Sequence, residues 1–156
     1  MKSIIGSILL LLNIACFAQK KAVINESHSS YDSTLAKKLG ADDYGMHKYV
    51  MCILKTGPNK SLSPDSSKKV QAAHLNNIKK LADEGKLVVA GPFMDNTELE
   101  GIFIFNVSTV EEAQALTNTD PAVKAGVLIM ELHPFYCTAA LIEIPALHKK
   151  VQKKSF

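Results

Sequence analysis

The sequence predicts an α+β domain: a four-stranded antiparallel sheet in the order β-α-β-β-α-β, the ferredoxin-like unit. Three observations predict it. Four short apolar runs, "YVMCIL", "LVVA", "IFIF" and "VLIM", are distributed along the chain. Helical periodicity falls between the first and second runs and between the third and fourth. Turn residues such as Gly57, Pro58 and Gly85 punctuate the junctions.

Taken in order, the chain opens on Lys2 and an apolar run from Ile4 to Ile14 that is too short to span a bilayer. Small residues follow at Cys16 and Ala18. This is the pattern of a signal peptide over residues 1–18, cut after Ala18, and the expectation is export to the periplasm or the medium. Lipid anchoring through Cys16 ranks second, because Asn13 stands where an apolar residue is expected three positions before such a cysteine. Residues 19–47 read as an N-terminal arm, polar and aperiodic as far as Ser33, with one short helix ending near Gly40.

The domain proper is expected over residues 48–137. "KYVMCILK" is the first strand and "TGPNKSLSPDSS" a loop rich in turn formers. A long helix runs from about Ser66 to Glu84, stopped by Gly85. "KLVVAGPF" and "GIFIFNV" are the second and third strands, joined through "MDNTELE". Ser108 or Thr109 caps a second helix whose first turn carries Glu111 and Glu112, where the helix dipole favours acids. Asp120 and Pro121 open a further helical turn, and "GVLIMELHPFY" is the fourth strand. In the C-terminal extension, 138–156, "TAALIEIPALHKK" alternates enough to predict a short extra strand.

The strands are apolar at successive positions rather than alternate ones, so both faces of the sheet want cover. Two helices cover one face. A second copy packed sheet to sheet would cover the other, which predicts a homodimer with Tyr49 to Leu54 and Gly101 to Val107 in its interface. The alternative cover is the C-terminal segment itself.

Composition narrows the function classes. Removing Lys2 with the signal peptide leaves a formal charge one below the +3 of the whole chain, close to balance. The basic run "HKKVQKK" lies at the C-terminus without interleaved aromatics, so it reads as a solvated tail and no nucleic-acid partner is expected. No second apolar span follows the first, and no membrane association is expected after cleavage. Cys52 and Cys137 are the two cysteines of the mature chain; whether they pair is left open by the sequence. "KTGPNKS" lacks the spacing of a phosphate-binding loop, and neither G-x-S-x-G nor C-x-x-C occurs. Glu131 and His133 share a strand face, but two ligands do not make a metal site, and no metal or cofactor is expected. His28, His47 and His148 fall in segments expected to be polar and exposed.

One residue stands out in the long helix. Val70, Ile78, Leu81 and Ala82 fall on one side at 3.6 residues per turn, with Leu75 at the border, and His74 lies inside that arc. A titratable ring is thus aimed at the core.

From about Lys48 to Tyr136 the chain resembles the YCII-related domain family. The resemblance is carried by "AHLNNIKKLADEGKLVVAGPF", "GIFIFNVSTVEEAQALTNTDPAVKAGV" and "HPFY". It implies a small dimeric α/β-barrel protein and relationship to dehydrochlorinases and muconolactone-isomerase-like enzymes. It also implies a His–Asp pair in a pocket, here His74 and Asp120, and a small organic ligand. The export signal departs from the family's usual intracellular form.

An Asp accepting the proton of one imidazole nitrogen fixes the tautomer and leaves the other nitrogen free as a general base. Removing a proton alpha to a carbonyl, then expelling chloride or shifting a double bond, needs little besides that base and an oxyanion donor, for which backbone amides near Gly91 are candidates. This would be cofactor-free lyase or isomerase chemistry. The alternative is a binding or assembly module in which Asp120 is an ordinary helix cap and His74 a satisfied core residue.

Overall fold

The computed structural model describes residues 31–154 except Asn96. The expected signal peptide and most of the expected arm lie outside the described residues. Among the described residues, four strands form one sheet: β1 (Met46–Thr56), β2 (Leu87–Pro92), β3 (Leu99–Phe105) and β4 (Leu128–Thr138). Their spatial order is β2-β3-β1-β4 with every neighbour antiparallel. The α-helices among the described residues are α1 (Ser33–Lys38), α2 (Pro64–Asp83), α3 (Val110–Thr117), α4 (Pro121–Lys124) and α5 (Ile144–Val151). The element order from β1 to β4 is the predicted ferredoxin-like one.

Local chemistry sets the helix ends. Helix α2 begins earlier than its periodicity indicated, because the Ser63 hydroxyl accepts from Ser66 N at 3.3 Å and Pro64 supplies a helical φ at the first position. It stops where Gly85 adopts φ +69°, a conformation that side chains disfavour. Helix α3 carries a capping box: Thr109 accepts from Glu112 N, and Glu112 reaches back to Thr109 N, both at 3.2 Å.

Alternation along the strands sorts two layers. Val50, Cys52, Leu54, Phe103 and Phe105 point to the helix-covered face, where Leu81 and Ala113 close the core. Tyr49, Val88 and Ile104 point to the opposite face. That second face is partly covered by the chain's own C-terminus. Ala139–Glu143 forms a 3-10 turn whose Leu141 and Ile142 pack on Tyr49, Val88 and Ile104, and α5 follows it.

The C-terminal extension is therefore helical, not the extra strand expected from its alternation. Leu141 and Ile142 are adjacent apolar residues seated together on the sheet, and Pro145 has no N–H to give a ladder but suits the first turn of a helix. Tyr49 and Ile104, expected in an interface between copies, are buried beneath this segment. Met51, Ile53 and Ile102 remain half-buried, and Ile129 is 50% exposed.

The two cysteines lie on opposite faces. Cys52 is buried among the helix-side residues, Cys137 packs on the tail side, and both are free thiols. His47, expected in an exposed arm, instead lies within β1; its Nδ1 sits 3.0 Å from Gly40 O and its ring meets Tyr49 edge-on.

Candidate functional site

Helix α2 crosses the sheet with His74 on its inner side, where the ring is 7% exposed and lies nearly parallel to Phe103, centroids 6.0 Å apart. Asp120 reaches it from the start of α4 and is 1% exposed. His74 Nδ1 lies 2.8 Å from Asp120 Oδ2 and 3.0 Å from Oδ1. A carboxylate can only accept, so the ring donates through Nδ1–H. Asp120 Oδ1 also accepts from Ala122 N at 2.8 Å, the cap bond of α4. One carboxylate thus caps a helix and fixes an imidazole tautomer.

With Nδ1 protonated, the neutral ring carries its lone pair on Nε2. That atom has no hydrogen-bond partner among the described residues, and it is not sealed from solvent. His74 lines a cavity of about 380 Å³ between α2 and the sheet. Small-molecule sites run to roughly 300–1,000 Å³, so the space suits a compact ligand.

The cavity walls are mostly apolar. Leu75 and Ile78 line it from α2, Phe103 and Leu54 from the sheet, and Gly91 and Pro92 from the end of β2. Gly91 is paired with Ile102 in the ladder and borders the space where an oxyanion donor was expected. Two polar side chains join His74 there: Gln71, one helical turn before it, and Glu100 at the start of β3. Gln71 follows from helix spacing, since a residue three positions back shares the face. Glu100 depends on a break in strand register that no sequence pattern announces.

The other predicted polar pair is elsewhere. His133 Nε2 meets Glu131 Oε1 at 2.9 Å, and Lys55 Nζ donates to the other oxygen of Glu131. These groups lie on the face away from His74, and the Lys55 hydrogen bond, then that of His133, hold the Glu131 carboxyl below its usual range. His148 is exposed on α5. Cys52 lies under the helices; burial first, then the negative charges of Asp120 and Glu131, push its thiol up to about 12, which leaves little nucleophilic thiolate. Among the described residues, no helix is long and apolar enough to cross a membrane.

Comparison with known proteins identifies the family of the chain. Residues 48–135 match the YCII-related domain family. No curated protein matches the sequence. Among solved structures, the chain is similar to 5-chloro-2-hydroxyhydroquinone dehydrochlorinase from Burkholderia phenoliruptrix AC1100, determined in complex with 2,5-dihydroxybenzoquinone. The two are 22% identical with a TM-score of 0.41, over 55% of this chain and 92% of that one. The match to the family spans more than half of the sequence, and the chain belongs to the YCII-related domain family.

Proposed function

We propose that the protein binds a small organic ligand in the cavity under α2 and that His74 acts there as a general base, in cofactor-free lyase or isomerase chemistry. The observation that carries this reading is the oriented ring: Asp120 holds Nδ1, and the opposite nitrogen is left free in a ring that lines the cavity. In the reaction, Nε2 takes a proton alpha to a carbonyl, and the nearby carboxylate stabilises the imidazolium that results. The Gln71 carboxamide supplies N–H donors toward the developing oxyanion. Loss of a halide or return of the proton to another carbon then completes elimination or isomerisation.

Proton abstraction is testable without the natural substrate. A panel of small cyclic ketones and enols is incubated with the protein in D₂O, and incorporation of deuterium is followed by NMR. The protein accelerates exchange for the compounds that fit, and His74→Ala lowers the rate by roughly 10²–10⁴-fold. Absence of exchange across the panel, with ligands nevertheless bound, favours the second reading. In that reading the protein is a binding or assembly module and His74–Asp120 is a structural hydrogen bond, as the cap bond from Ala122 N to Asp120 suggests.

The proposed protein acts outside the cytoplasm as a homodimer. The N-terminal pattern supports export, and mass spectrometry of the mature chain should find Gln19 first. The half-buried Met51, Ile53 and Ile102 support sheet-to-sheet association, over a smaller area than the whole face because the C-terminal turn occupies the rest. Light scattering at micromolar concentration should report twice the chain mass.

A further inference from the structure

The sheet departs from regular register at one edge of the cavity. Strands β1 and β3 pair one for one from Val50 with Phe105 to Leu54 with Gly101, and then Lys55 pairs with Leu99. Glu100 is the extra residue of a β-bulge. In regular alternation it would share the face of Ile102 and Ile104, away from the helices. The bulge re-aims it. Its side chain lines the cavity, and its Oε1 accepts from the hydroxyl of Thr56, at the end of β1.

The backbone beside it is tightly fixed. A Cβ on Gly101 would meet Gly91 O at 2.4 Å, so β2 and β3 approach here as closely as a glycine permits. Glu100 is therefore presented from a paired strand rather than from a connecting loop. Its second oxygen, Oε2, has no hydrogen-bond partner among the described residues.

His74 is the one basic group that lines the cavity with Glu100 among the described residues. Among the described residues, no lysine lines this space, and the chain contains no arginine. Lys55, one residue from the cavity-lining Leu54, points to the other face and is bonded to Glu131. An entering carboxylate would lose hydration against Leu75, Ile78 and Phe103 and meet the Glu100 charge, with the neutral Gln71 amide and the His74 ring, but no lysine, to offset it. A hydroxyl or amine would instead gain a charge-assisted hydrogen bond to Oε2.

Resting on the reading of this cavity as a ligand site, we propose that Glu100 selects the ligand by charge. The site takes an uncharged or cationic compact molecule bearing a hydroxyl or amine donor, and it rejects carboxylates.

The test uses three single-ring probes of similar size: catechol, benzylamine and benzoate. Their dissociation constants are measured by ligand-observed NMR at about pH 8 with the wild-type protein, Glu100→Gln and Ile78→Trp. Wild type binds catechol and benzylamine about tenfold or more tighter than benzoate, the scale of one partly screened charge. Glu100→Gln retains the Thr56 bond through its amide oxygen and narrows the benzoate penalty about fivefold. Ile78→Trp fills the cavity and weakens all three. If Ile78→Trp weakens binding but Glu100→Gln leaves the selectivity unchanged, or wild type prefers benzoate, charge selection by Glu100 is overturned while the cavity remains a ligand site. If no probe binding responds to Ile78→Trp, the cavity reading fails and this inference fails with it.

Discussion

On one face of the sheet, Val50, Cys52, Leu54, Phe103 and Phe105 are sealed beneath helices, and the polar pair buried there is His74 with Asp120. On the other face, Met51, Ile53 and Ile102 are half-buried, and Lys55, Glu131 and His133 form a chain of contacts in water. Both faces pair a histidine with a carboxylate at 2.8–2.9 Å, yet the pairs differ in kind. The His133 side chain is 49% exposed, so its contact is screened and contributes little. His74 and Asp120 are buried, and among the described residues the Nδ1–H of His74 has no acceptor besides Asp120, which also caps α4. Equal distances do not make equal sites; burial beside a cavity does.

Adjacent residues sharpen that contrast. Leu54 is 5% exposed in the helix-side core, and Leu54→Ala should cost about 2–5 kcal/mol of stability. Ile53, its neighbour on the open face, should cost about 1 kcal/mol as Ile53→Ala if that face meets only water, and clearly more at concentrations where a second copy covers it. Urea titrations at two protein concentrations separate the cases. A concentration-independent, small effect at Ile53 would argue for a monomer.

The cap supplies the next test. Asp120→Ala removes the bond to Ala122 N and strands a buried imidazole N–H, a loss of about 2–3 kcal/mol in thermal or urea unfolding. Asp120→Asn caps about as well as the acid and should cost under about 1 kcal/mol. Proton exchange would nonetheless fall about tenfold or more, because a neutral amide no longer stabilises the imidazolium. Full activity in Asp120→Asn would assign the carboxylate to capping alone.

Thiol labelling compares the faces without mutation. Cys52, buried and raised to about 12, should resist iodoacetamide at pH 8 in the native protein, whereas the half-buried Cys137 should react first. Peptide mapping after partial alkylation gives the order, and equal rates would mean that the helix-side core opens readily.

The smallest effect belongs to the tail. Hydrogen bonds from Lys149 and then Lys79 hold the exposed Asp83 carboxyl at about 2, below its ordinary 3.8. A depressed carboxyl stabilises the fold above its unfolded value, so this contribution is complete above about pH 4 and disappears as the pH falls through about 2. Because the pair lies at the surface, salt should erase it. A Lys149→Ala protein should unfold like wild type in 0.5 M NaCl.

Much of this was readable in the sequence because it obeys local rules. Helix α2 announces itself by period 3.6, and His74 by being the titratable residue inside its apolar arc. Asp120 before Pro121 carries the signature of a cap, although its bond to His74 spans 46 residues, and only the family resemblance indicated it. Glu100 was hidden for a different reason. Its direction depends on a bulge between strands brought together by the fold, and alternation alone would turn it the other way. The C-terminal segment misled because its apolar alternation fits a strand. Its Leu141 and Ile142 bury side by side on the open sheet face, and the chain then turns helical at Pro145.

The claim that joins these observations is that Asp120 holds His74 with Nε2 free toward the cavity. Long-range ¹H–¹⁵N NMR of the imidazole, at about pH 9 where an ordinary histidine is neutral, reports the tautomer directly. The account predicts a protonated Nδ1 and a bare Nε2 in wild type, with Asp120→Ala losing that preference and a cavity ligand shifting the Nε2 resonance. A wild-type ring protonated at Nε2, or one whose Nε2 ignores every ligand that occupies the cavity, would contradict it.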